Sequence, residues 1–227
     1  SMAAEEDLGR AVGGLAGGGA DRATFARTVK LVGSSVRAAG AKPVASGRWL
    51  ADALLDAAPH IPVRDVAALS AAHGGRTGRA LAEELIRSAS HRTAGFGAAA
   101  GALAGAHSVA PPTWVALPAE LVAETLAVVA VELKLVAELH EAYGTQVTDS
   151  TAIVVAWAEG RGVGQVLSRA PRRELAKVLQ RRLAARAVRN TASWIPLMAG
   201  AVAGAELNRR ATRALGDKVL GDLASRA

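Results

Sequence analysis

The sequence predicts an all-α protein: a single multi-helix bundle with close-packed, Gly/Ala-rich core helices. Three observations carry this. The 227 residues include 54 Ala, the strongest helix former, and 24 Gly. Only seven residues are aromatic (Phe25, Trp49, Phe96, Trp114, Tyr143, Trp157 and Trp194), a type that sheets enrich. Half of the residues are apolar, which disfavours disorder. The absence of Cys excludes disulfides and Cys-ligated zinc or iron–sulfur centres. So few aromatic rings also disfavour a stacking platform for single-stranded nucleic acid.

The chain is expected to divide into a flexible N-terminal segment, 1–20, and one all-helical domain, 21–227. Gly13, Gly14, Gly17, Gly18 and Gly19 predict fraying of the first segment. Ser1-Met2 reads as a cloning remnant. Glu5, Glu6 and Asp7 stand where a secretory signal would carry positive charge, so a cytoplasmic location is expected, extending to the inner face of the membrane.

Asp21 is positioned to cap a helix to about Ala39, closed by Gly40 and Pro43. Ser46 offers the next cap, for a helix to about Ala58. Pro62 suits the first turn of a short helix to about His73, and Gly74-Gly75 breaks the chain. Thr77 opens a helix to about Thr93. A charge-free stretch follows to Ala119, and within it a buried helix is expected over 94–109. Pro111-Pro112 divides the stretch, and neither half reaches the roughly 20 apolar residues of a membrane span. Gly97, Gly101 and Gly105 recur every four residues on one face, where another backbone can approach closely or a ligand can find room.

Pro118 begins the longest periodic segment, 118–143. Its apolar face holds Leu121, Val122, Leu126, Val128, Val129, Leu133, Val136 and Leu139. Glu120, Glu124, Lys134, Glu138 and Glu141 fall opposite, at spacings expected of a solvated face. Glu132 lies among the apolar residues, where a carboxylate is paired, protonated or functional. Asp149 can cap a short helix through Ala158, and Pro171 opens a basic helix on which Arg173, Lys177 and Arg181 form a stripe. The last helix, from Pro196 to about Arg226, places Gly200, Gly204 and Asn208 on one face. Its pattern mirrors Gly97, Gly101 and Gly105, so the two helices are expected to pack together.

The net charge of +7 is unevenly distributed. Residues 118–160 carry −6 and residues 161–189 carry +8. The basic segment either answers the acidic helix before it or meets an anionic partner. Catalytic motifs are absent. GGRTGR at 74–79 lacks phosphate-loop spacing, GFGAAAG at 95–101 lacks GxGxxG, and there is no GxSxG. His140-Glu141 has no second His at metal-binding spacing, and the five His are dispersed. No metal site or cofactor is expected, and nucleic acid is a disfavoured partner because no reading module is recognisable.

Three runs together resemble the EcsC family of bacterial helical proteins, over roughly residues 60–220. They are PAELVAETLAVVAVELKLVAELHEAYG at 118–144, LAEELIRSASHRTAGFGAAAGALAG at 81–105 and WIPLMAGAVAGAELNRRATRALGDKV at 194–219. The resemblance implies an all-helical, membrane-associated protein whose family activity is not established.

The expected function is therefore non-catalytic: peripheral association with a membrane, or binding of a lipid-like, apolar ligand. The ligand would lie between the helices 94–109, 196–215 and 118–143, near Gly97, Gly101, Gly105, Gly200 and Gly204. Glu132 and Asn208 would be the polar groups of that site, with Trp114 and Trp194 at its boundary. Arg173, Lys177 and Arg181 would meet an anionic surface. The alternatives are a soluble adaptor that binds another protein or forms a homo-oligomer, and an enzyme with an unrecognised carboxylate-based site.

Overall fold

The computed structural model describes residues 1–18, 21–107, 118–147, 149–164, 170–191 and 197–227, and the side chains within them except at 104–107, 189–191 and 197–200. Ten α-helices and no strand occur among the described residues. They are α1 (Met2–Leu15), α2 (Arg22–Ala39), α3 (Ala41–Ala45), α4 (Arg48–Ala57), α5 (Val66–Ala72), α6 (Gly78–His107), α7 (Ala119–Ala142), α8 (Ser150–Gly160), α9 (Pro171–Thr191) and α10 (Leu197–Arg226).

Capping chemistry places several of the boundaries. Asp21 accepts the Thr24 amide at 2.8 Å and opens α2, and Asp65 accepts the Ala68 amide at 2.8 Å and opens α5. Asp149 caps α8 through the Thr151 amide at 3.3 Å. Ser46 does not cap α4 as expected: its hydroxyl donates to the Pro43 carbonyl, and Gly47 takes the cap position.

Two larger differences concern whole elements. The expected fraying of the N-terminal segment does not describe Met2–Leu15, which is helical with Leu8, Val12 and Leu15 buried in the core. Gly9 and Gly13 here serve contact: a Cβ at either would come within 2.9 Å of the Asp56 carbonyl or 2.7 Å of His60. The expected break near Thr93 is also absent. α6 runs unbroken for 30 residues, and the Thr93 hydroxyl is 3.1 Å from the Ser90 carbonyl instead of capping a new helix.

α7 is the axis of the bundle. Helices α1, α2, α4, α5, α6, α8, α9 and α10 all pack against it. Every residue from Leu121 to Leu139 is buried. The buried apolar side chains form one continuous cluster reaching from Leu8 to Leu223. α6 and α10 form a long antiparallel pair: Ile86 lies against Gly216, Thr93 meets Thr212, and Gly101 lies against Ala201. Phe25 and Phe96 bring α2 onto α6 with ring centroids 5.5 Å apart.

Candidate functional site

A helix buried on all sides cannot keep a solvated face, and here the expectation for α7 is corrected. Glu124, Lys134, Glu138 and Glu141 are all buried, because packed helices cover the side that sequence periodicity assigns to water. A buried charge needs a partner, and three partnered clusters are strung along α7.

The first surrounds Glu132, whose side chain has no exposure. Arg182 of α9 donates from Nη1 to Oε1 at 2.8 Å, and Arg161, which follows α8, donates from Nη2 to Oε2. Both guanidinium groups lie 5.9 Å from the centre of the buried Trp157 ring. Burial alone would raise the Glu132 carboxyl's pKa. The Arg182 and Arg161 charges outweigh it and hold the group below its ordinary value. Glu132 is ionised and fully engaged.

The second cluster sits about 12 Å lower on α7, two helical turns away. Asn208 donates to Glu124 Oε1 at 2.9 Å and to the Thr93 carbonyl at 3.1 Å. Its own Oδ1 accepts from Arg186 Nη2 at 2.9 Å. Arg186 Nε also lies 3.2 Å from Glu124 Oε1. The Thr93 and Thr212 hydroxyls, 2.9 Å apart, complete a polar bridge between α6, α7, α9 and α10. Thus Glu132 and Asn208 do not share one site. Each serves a separate cluster, and Arg182 and Arg186, one turn apart on α9, stand between the two.

Glu138 anchors the third cluster. Lys134 donates to its Oε1 at 2.6 Å, while the backbone N–H and Nε of Arg64 both donate to Oε2 at 2.9 Å. Desolvation pushes the Glu138 carboxyl up, but Arg64 and Lys134 bring it below its ordinary value. Sequence reasoning did not single out Arg64, Thr93 or Thr212, whose partners lie 74, 115 or more residues away along the chain.

The glycine faces of α6 and α10 meet, as their spacing predicts, and they meet without leaving space. A Cβ on Gly97 would stand 2.8 Å from the Gly204 backbone, and one on Gly101 would stand 2.9 Å from the Ala201 Cα. These positions give close approach, not room for a ligand. Gly105 and Gly200 lie in α6 and α10. Trp114 and Trp194 lie outside the described residues. Two open grooves lie elsewhere. One, of about 570 Å³, runs between α6 and α10 beside Arg76, Glu83, Arg87, Arg213 and Asp217. The other, also about 570 Å³, lies beside Lys42, Arg48 and Gln180.

The basic segment is divided by the helix period. Arg182 and Arg186 face α7. Arg173, Lys177 and Arg181 point away and are exposed, their stripe intact on the outer face of α9. Lys177 reaches Glu174 at 3.0 Å, and Arg181 donates to the Lys177 carbonyl at 3.3 Å. Among the described residues, no group of three or more His, Asp or Glu is arranged to hold a metal, and no helix is long and apolar enough to cross a membrane.

Comparison of the chain with protein-family models, with curated proteins and with solved structures finds no match.

Proposed function

We propose that this chain is a non-catalytic helical protein that associates peripherally with an anionic membrane surface, at the inner face of the cytoplasmic membrane. The supporting observation is the separation of charge on α9. Its inner arginines are consumed by Glu132 and Glu124, while Arg173, Lys177 and Arg181 remain exposed on one face. Each cation near an anionic leaflet contributes about 1 kcal/mol, so the stripe supports weak, reversible, salt-sensitive binding.

The structure offers less to the other readings. An enclosed site for an apolar ligand between α6, α7 and α10 gains no support, since the glycines there are in contact with backbone. A catalytic carboxylate at Glu132 is disfavoured because both of its oxygens are held by guanidinium groups. Membership of the EcsC family belongs to the same proposal, and the all-helical architecture agrees with it.

Flotation with phosphatidylcholine vesicles, with and without phosphatidylglycerol, tests the reading. Binding to the anionic vesicles at low salt, weakening as salt rises, is expected. A protein that floats with neither and stays in solution overturns it, and an oligomer under those conditions favours the adaptor reading.

A further inference from the structure

The antiparallel pair of α6 and α10 has two unlike ends. From Gly78 to Arg92, α6 carries Arg79, Glu83, Glu84, Arg87 and Arg92. From Glu206 onward, α10 carries eight charged residues. The facing ends, 93–107 of α6 and 197–205 of α10, carry none. The charge-free runs are longer in the sequence, 93–119 and 190–205, but only the pairing of Gly97 with Gly204 and Gly101 with Ala201 brings them into one structural end.

The bundle covers that end only in part: Phe96 and Ala100 are buried, with Phe96 against Phe25 of α2, while the opposite side is open. Val202 is 66% exposed, Ala102 is exposed, and Ala98, Ala99 and Ala203 are half-buried. Val188 and Leu207, also exposed, lie within two residues of the contact between Arg186 and Asn208 at the root of this end.

We propose that the charge-free end of the α6/α10 pair inserts into one leaflet of an anionic bilayer, with the cations at its root at headgroup level. The inference rests on the membrane reading above and assigns the inserting element. α2 covers part of this end through Phe25 against Phe96, and on the sides left open no residue of either helix carries a charge, which suits contact with hydrocarbon. The fifteen residues 93–107 reach roughly 22 Å as helix, short of the ~30 Å hydrocarbon core. The nine facing residues 197–205 reach roughly 13 Å, close to the ~15 Å of one leaflet, so the paired end can enter a leaflet without crossing the bilayer.

The root carries the complementary charge. Arg209 and Arg210, one turn further along α10, both donate to Glu206 and hold its pKa at about 2, leaving a net positive site. Arg181, the last residue of the exposed stripe, lies five residues before Arg186, or ~8 Å along the helix. The buried bridge of Thr93, Asn208 and Thr212 marks where the charge-free end meets the polar body, and the close glycine contact makes the pair enter as one unit.

The Cys-free sequence allows a single environment-sensitive nitrobenzoxadiazole dye at Val202→Cys, with Val66→Cys on α5 as the control. Phosphatidylglycerol-containing vesicles with and without brominated acyl chains are the probe. A blue shift and bromine quenching at position 202, with neither at position 66, are expected. A second variant, Val202→Asp, should weaken vesicle binding roughly tenfold or more while leaving thermal unfolding unchanged. If the labelled protein floats and the 202 dye stays in a water-like environment, the insertion is overturned while the membrane reading stands. If the protein does not float, both fall. A 202 dye already buried without vesicles, in a particle of dimer mass, overturns the insertion and identifies this end as a contact between copies.

Discussion

Arg182 Nη1 and Glu132 Oε1 meet at 2.8 Å inside the bundle, joining the basic helix α9 to the central helix α7. A buried ion pair adds little net stability, because its desolvation roughly offsets its attraction, but breaking one leaves an uncompensated charge. Glu132→Gln would strand Arg161 and Arg182 and should cost about 3–5 kcal/mol in urea unfolding. Replacing the whole cluster, Glu132→Leu with Arg161→Met and Arg182→Met, should recover most of that loss. No recovery would mean that the cluster contributes more than paired charge.

Acid should loosen the same interface. Glu132 and Glu138 have pKa values below the ordinary 4.5 in the folded chain. The unfolded chain therefore takes up these protons first as pH falls. Their contribution is complete above about 4.5 and is lost below it, toward the folded-state values. The urea midpoint should be flat in this respect from pH 7 to 5 and fall toward pH 3. Glu132→Gln should make the acid slope shallower, and an unchanged slope would contradict the assignment.

Two glycines on α6 make a matched pair of opposite sign. Gly95 has nothing within 4 Å of where a Cβ would stand, so Gly95→Ala should stabilise by about 0.5–1 kcal/mol through helix propensity. Gly97→Ala drives a methyl group into the Gly204 backbone and should destabilise by about 1–3 kcal/mol. Denaturant midpoints of the two variants give the comparison directly.

Asn208 both donates and accepts between charged groups, so its shape alone is not enough. Asn208→Ala should cost about 1–3 kcal/mol, since Glu124 and the Thr93 carbonyl lose a buried donor. Asn208→Asp should be worse at neutral pH, because it sets a second carboxylate against Glu124 Oε1. Chemical unfolding of the two variants at pH 7 reads the order, and equal stability would argue against a buried amide bridge.

Much of this arrangement was legible in the residues. Asp21, Asp149 and Pro171 marked helix starts, and the four-residue glycine spacing marked the contact of α6 with α10. Glu132 was visible as a misplaced charge. The burial of Glu124, Lys134 and Glu138 was not legible, because helical periodicity reports the faces of one helix and not how many neighbours surround it. Arg64 reaches Glu138 from 74 residues upstream, and no local pattern announces such a pairing. Ala123, Ala127, Ala130 and Ala137 were the available signal: small residues around the circumference of α7 permit helices to approach on every side. The order of Met2–Leu15 was hidden in a similar way, since glycines that permit contact and glycines that permit fraying look alike until the partner helix is in place.

The most direct test of the membrane account is the salt dependence of binding to phosphatidylglycerol-containing vesicles for the native chain and for Arg173→Glu/Lys177→Glu/Arg181→Glu. These three side chains are exposed and make no contact with the buried clusters, so the variant should fold and unfold as the native chain does. The native chain should bind at low salt and release as salt rises, and the folded variant should lose binding by roughly a hundredfold. Equal binding by a folded variant, or no binding by the native chain, would contradict the membrane account.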